Sequence, residues 1–123
     1  MKDIENREDL EKLLWEFYTR LLNDPGISYI FTDVAKINLE THMPSLTDFW
    51  EQSLFYTGNY RKNVMQMHLD LNEKERLTEI HFEIWLNHFN ITVNDLFFGI
   101  NSEKIKTRAQ SIATVMKIKM ATH

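Results

Sequence analysis

Five histidines, at positions 42, 68, 81, 88 and 123, are the residues best able to ligate a metal or pass a proton in a chain that has no cysteine. Their spacing is informative for what it lacks. None forms a His-x-x-x-His pair and none forms a Glu-x-x-His pair, so a bare metal held by one helix has little support. The lack of cysteine removes disulfides, zinc–thiolate sites, iron–sulfur clusters and thiolate-ligated cofactors. His68 stands apart, within Val64-Met65-Gln66-Met67-His68-Leu69-Asp70-Leu71, after a glycine-containing loop and before a new helix. A lone histidine among apolar residues is either satisfied within a core or a metal ligand, and the stretch by itself favours the first. Tyr18 is a second polar group in an apolar setting. Its hydroxyl requires a partner if buried, and a backbone carbonyl is the ordinary one.

Four helical segments must position these groups. Leu10, Leu13, Leu14, Phe17, Tyr18, Leu21 and Leu22 recur on one helical face. Asp24-Pro25-Gly26 ends that helix, since proline disfavours helix before itself and glycine supplies a turn. After a short piece, Ile27 to Phe31, a second helix begins near Leu39 with the apolar face Leu46, Phe49, Trp50, Ser53 and Leu54. Pro44 is tolerated only in a first turn or at a kink, so this helix must start or bend close to His42. Thr57-Gly58-Asn59 stops it. Residues 60 to 71 read as a loop with one short helix carrying His68.

Asn72-Glu73-Lys74-Glu75 resembles a capping box. It is expected to open a long, broadly apolar helix through Leu77, Ile80, His81, Phe82, Ile84, Trp85, Leu86, His88, Phe89 and Val93, ending at Gly99. Apolarity on more than one side makes that helix central. The last helix starts near Asn101-Ser102 and buries Ile105, Ala109, Ile112 and Met116. No internal repeat, linker or low-complexity segment interrupts the pattern.

The 123 residues suffice for one domain with its own core. Glycine and proline total five, which suits a mostly helical chain that is 43% hydrophobic and 12% aromatic. A formal charge of -4 without a basic stripe makes nucleic acid a poor partner. No apolar run approaches a membrane span, and the polar Met1-Lys2-Asp3-Ile4-Glu5-Asn6 is unlike a signal peptide. These features fit the cytoplasm.

Taken in order, several of these residues resemble the truncated haemoglobins, and within them the third group. Phe17-Tyr18 is similar to that family's Phe-Tyr pair, and Phe31 to its haem-packing phenylalanine. His42-Met43-Pro44-Ser45-Leu46-Thr47-Asp48-Phe49-Trp50 resembles the third group's His-x-Pro-x-apolar-x-Asp-Phe-Trp run. Thr57-Gly58-Asn59-Tyr60, then Asn63 through His68-Leu69, resemble its loop and proximal histidine. His81-Phe82-Glu83-Ile84-Trp85-Leu86 resembles its His-Phe-x-x-Trp-Leu segment, and Arg108-Ala109 falls where its last helix often reads the same. The match covers about residues 10 to 115 of a single domain, 1–123. One departure is His88, which stands where the family usually has an apolar residue.

The resemblance implies an all-α truncated globin, a shortened two-on-two helical sandwich around haem b (iron protoporphyrin IX). His68 would be the metal ligand through its Nε2. Phe31, Leu46 and Phe49 would be apolar walls, with Trp50 in the core. Tyr18, His42 and Trp85 would be hydrogen-bond donors on the opposite face, His42 also able to swing and admit ligand. His81, four residues before Trp85, is given no axial role. The implied function is binding of O2 or another small ligand such as NO, CO, cyanide or peroxide. The alternative is redox chemistry on nitric oxide, peroxide or a related species. That would need a separate reductase, because no flavin or nicotinamide site can be seen.

Overall fold

The first helix begins where a side chain takes over a free backbone donor. The structure, a computed structural model, describes residues 1–31, 38–55 and 78–122, with side chains through 118. In it, Asn6 caps α1 (Arg7–Leu22) by accepting the Asp9 N–H at 3.0 Å. Leu10, Leu13, Leu14, Phe17 and Leu21 are fully buried on one face. Removing each such side chain from water is worth about 1.5–3 kcal/mol. The helix ends at Asn23, whose N–H turns back to Thr19 and Arg20 carbonyls, and Pro25 follows at once.

The next described helix, α2 (Leu39–Phe55), starts three residues before His42 and runs through Pro44. The sequence placed a start or bend there, and the start is what occurs. Pro44 has no N–H to give the Glu40 carbonyl, a loss tolerable this close to the N-terminus. Arg7 ties α2 to α1 through Asp48 at 2.7 Å and Glu51 at 3.2 Å. These pairs are partly exposed and set register more than stability.

The long third helix departs from the sequence expectation. It opens at Thr78, and α3 spans Glu79–Leu96. Asn72 to Glu75, where a cap was expected, lies outside the described residues, as does the expected stop at Thr57-Gly58-Asn59. The observed cap is reciprocal: Thr78 Oγ1 accepts from the His81 N–H, and His81 Nδ1 accepts from the Thr78 N–H at 3.0 Å. A histidine replaces the usual Glu or Gln, so the pattern is easily missed in sequence.

The final helix, α4 (Ile100–Thr122), buries Ile105, Ala109, Ala113 and Met116. Its cap comes from the other end of the chain. Asp3 accepts the backbone N–H groups of Asn101 and Ser102 and the Ser102 hydroxyl, each at 2.8 Å. Gly99 makes this possible. Its φ is +151°, and a Cβ there would stand 2.5 Å from Asp3 Cγ.

α1 packs on α2 and α3 packs on α4, giving two helix pairs laid one on the other. The pairs meet at Phe89 of α3, which touches Phe17 edge-on at 5.0 Å and stacks with Trp50 of α2 at 5.1 Å. Among the described residues, no helix is long and apolar enough to cross a membrane.

Burial works against the Asp3 carboxylate, but the hydrogen bonds from Asn101, Ser102 and Ile4 outweigh it and hold its pKa below the ordinary value. A depressed folded-state pKa gives stability that is present above the unfolded pKa, about 4, and lost as pH falls through the folded one. Asp3→Ala should therefore lower stability by about 1–2 kcal/mol at neutral pH, in line with loss of a helix cap. In urea titrations the gap from the unmodified protein should close in acid. Gly99→Ala should lower stability by about 1–3 kcal/mol, through backbone strain and displacement of Asp3.

Candidate functional site

Between the helix pairs lies a cavity of about 750 Å³, the open solvent at its mouth included. Tyr18 of α1 lies on its wall, next to Ile27, Ile30 and Phe31 of the turn and the helical residues 28–31 that follow. α2 contributes Leu46, Phe49 and Trp50, and α3 contributes His81, Phe82 and Trp85. Ile112, Ala113 and Met116 of α4 close the remaining side. The lining is aromatic and aliphatic. Its polar atoms are few: the Tyr18 hydroxyl, the His81 ring and the indole N–H groups of Trp50 and Trp85.

The helical register explains this convergence. Tyr18 follows Phe17, so one ring enters the fully buried stripe while the other turns towards the cavity. The two rings lie 4.9 Å apart. Trp85 is one turn before Phe89 on α3 and stacks on it at 5.7 Å with planes 15° apart. Leu46 and Phe49 share a face of α2. Trp50 does two jobs, being 3% exposed in the core while one part of it meets the cavity.

The Tyr18 hydroxyl has no hydrogen-bond partner among the described residues, and the carbonyl that ordinarily satisfies such a group is not supplied. Burial pushes its pKa well above the usual phenol range, so the group stays an O–H donor. The Trp85 indole N–H likewise meets no acceptor among the described residues. Both groups lie on the wall of the same cavity.

His81 also reaches the wall, but its nitrogens are spoken for. Nδ1 accepts from Thr78, so in the neutral ring Nε2 carries the proton and donates to the Tyr29 hydroxyl at 2.9 Å. No lone pair remains for a metal. His88, unassigned in the sequence, pairs with Asp24 across α3 and the turn after α1, Nε2 to Oδ2 at 2.7 Å. This contact, with the Gly26 N–H, holds the Asp24 carboxyl below its ordinary pKa. No group of three His, Asp or Glu residues able to hold a metal occurs among the described residues.

Of the candidate site residues, Tyr18, Phe31, Leu46, Phe49 and Trp85 line one cavity. His42 sits one turn before Leu46 on α2, half-buried and not part of the lining. His68 lies outside the described residues. The sequence reading did not pick out Ile27, Ile30, Phe82 or the α4 residues as cavity wall. Periodicity marks a residue as inward-facing, and a cavity wall has the same periodicity as a core.

No protein-family model matches the chain. A group 3 truncated haemoglobin of Campylobacter jejuni is 30% identical over 112 residues, covering 89% of this chain and 86% of that protein. A crystal structure of a group III truncated haemoglobin from Campylobacter jejuni superimposes with a TM-score of 0.86 at 27% identity, covering 98% of this chain and 95% of that one. Sequence identity at this coverage, together with the shared two-on-two arrangement, makes this chain a member of the group 3 truncated haemoglobin family.

Proposed function

We propose that the cavity holds haem b, that His68 would hold its iron through a ring nitrogen, and that the protein binds O2 or another small ligand such as NO, CO, cyanide or peroxide there. The observation that carries this reading is the cavity wall itself: apolar and aromatic side chains from all four described helices, with the partly buried Tyr18 phenol and the Trp85 indole among them. The residues present fit a haem. The walls are apolar, His81 and His88 are engaged with Tyr29 and Asp24, and the family resemblance gives the iron-binding role to His68. The family membership supports the same cofactor.

A bound haem supplies reversible coordination of a small ligand. The chain supplies the surroundings. Phe31, Leu46 and Phe49 sheathe the site and exclude water. Tyr18 and Trp85 come from different helices, and each can donate to a ligand that draws negative charge. In a dry setting such a donor contributes about 1.5–3 kcal/mol when its acceptor is charged. His42 is not part of the lining, so the donor role falls to Tyr18 and Trp85. Two donors favour retention over rapid exchange, which suits chemistry on the ligand more than its transport. Turnover would need electrons from a separate reductase.

Purified protein should show a haem Soret band. His68→Ala should lose most of the haem, or show an altered spectrum that added imidazole restores, whereas His88→Ala should keep the spectrum. A normal spectrum in His68→Ala would move the axial role elsewhere. Stopped-flow displacement of O2 by CO should show slow release from the unmodified protein. Release should be about tenfold or more faster in Tyr18→Phe and in Trp85→Phe. The two effects should be non-additive, because neighbouring donors to one acceptor rearrange when either is lost. Rapid release from the unmodified protein, unchanged in both variants, would remove the donor role and restore simple transport.

A further inference from the structure

We propose that residues 24–31 form a strap fastened along α3 by two positioning histidines, His81 and His88, and that this fastening sets how readily a small ligand enters the cavity. The strap runs antiparallel to α3 in a fixed register. Asp24 meets His88 at 2.7 Å. Gly26 lies over Ile84, so closely that a Cβ would stand 3.1 Å from Ile84 Cδ1. Tyr29 meets His81 at 2.9 Å. The two histidines are seven residues apart, about two turns, which places them on one face of α3 with Ile84 between them.

Each fastening is itself held. At one end Asp24 organises the strap's own backbone. Its Oδ1 accepts the Gly26 N–H at 2.9 Å, and its carbonyl accepts from Ile27 at 3.1 Å and Ser28 at 2.8 Å. At the other end the Thr78 cap fixes the His81 ring, because its Nδ1 is occupied and Nε2–H is thereby aimed at Tyr29. Ile27 and Ile30 are 3% and 2% exposed and anchor the inner side of the strap in the core.

The strap carries cavity wall. Phe31 comes two residues after Tyr29 and meets Tyr18 edge-on at 6.2 Å. Release at Tyr29 lets the Phe31 ring move away from Tyr18 and widens the space beside the donor. An apolar residue at position 88 would still cover Ile84 and the core, but would give Asp24 no directional partner. His88 therefore does something that packing alone does not require.

The part of this proposal that concerns ligand entry rests on the haem reading, and the fastening does not. The test compares the unmodified full-length protein with His88→Leu, Tyr29→Phe and His88→Gln, the last keeping an N–H able to reach Asp24. Tyr29→Phe removes a single oxygen, so the test survives should His88→Leu fold poorly. Backbone amide hydrogen exchange over 26–31 should be about fivefold faster in His88→Leu and in Tyr29→Phe, the effect of one net hydrogen bond on a local opening. Exchange in α1 and α4 should be unchanged, and His88→Gln should resemble the unmodified protein. On haem-loaded protein, CO association after flash photolysis should rise about threefold or more in the first two variants and not in the third.

Unchanged exchange over 26–31, or an equal rise throughout the chain, would overturn the fastening. A faster strap with unchanged CO association would overturn its control of entry. Without a Soret band the haem reading fails, and the exchange pattern by itself then supports or overturns the fastening.

Discussion

The ring of Phe89 is the contact on which the rest of this molecule depends. It comes from α3 and is met by Phe17 of α1, Trp50 of α2 and Trp85 of its own helix. Three of the four described helices are thereby joined through aromatic faces and edges at separations of 5.0 to 5.7 Å. Such pairs contribute beyond their buried area, by about 0.5–1.5 kcal/mol each, and they fix relative orientation as well as distance. The angle between the helix pairs is set at this point. Every residue one turn further out inherits its position from it.

The cavity follows from the same junction. Beside Phe89, residues of the helices face each other across a gap that their own side chains do not fill. Trp85 illustrates the change of role along one helix. One part of it stacks on Phe89 as core, and another part faces the gap. Tyr18 does the same on α1, beside Phe17. Tyr18 and Trp85 thus each neighbour the aromatic cluster at Phe89, which fixes where their polar ends lie.

The histidines show how little residue type says about role. His81 closes a helix cap and orients Tyr29, which consumes both of its nitrogens. His88 meets a carboxylate on the neighbouring turn. His42 lies half-buried on α2 beyond the cavity edge. These environments separate roles that a count of metal-capable side chains leaves identical. The same holds for carboxylates: Asp3 and Asp24 each cap a backbone turn, one ninety-eight residues away in sequence from its partner Asn101 and the other within its own loop.

The sequence by itself determined the helical class, because its apolar residues repeat at helical spacing and almost nothing in it favours strands. It also marked the end that Pro25 and Gly26 impose after Leu22, since those residues restrict or permit backbone angles locally; α3 instead stops at Leu96, three residues before the expected Gly99. The quoted motifs further pointed to Tyr18, Phe31, His42, Leu46, Phe49, His68 and Trp85, of which His42 is not part of the cavity wall and His68 lies outside the described residues. What periodicity alone does not distinguish is a wall from a core, and Trp50 is both. Tertiary structure decided the rest. Thr78 replaced the expected opening of α3 because a histidine completes its capping box, a pairing outside the usual residue pattern. Asp3 became a cap for α4 only because Gly99 lets two distant segments approach. His88 acquired a partner that lies sixty-four residues before it. Local spacing encodes local backbone geometry, whereas contacts between residues far apart in the chain arise only when packing has fixed where the helices cross.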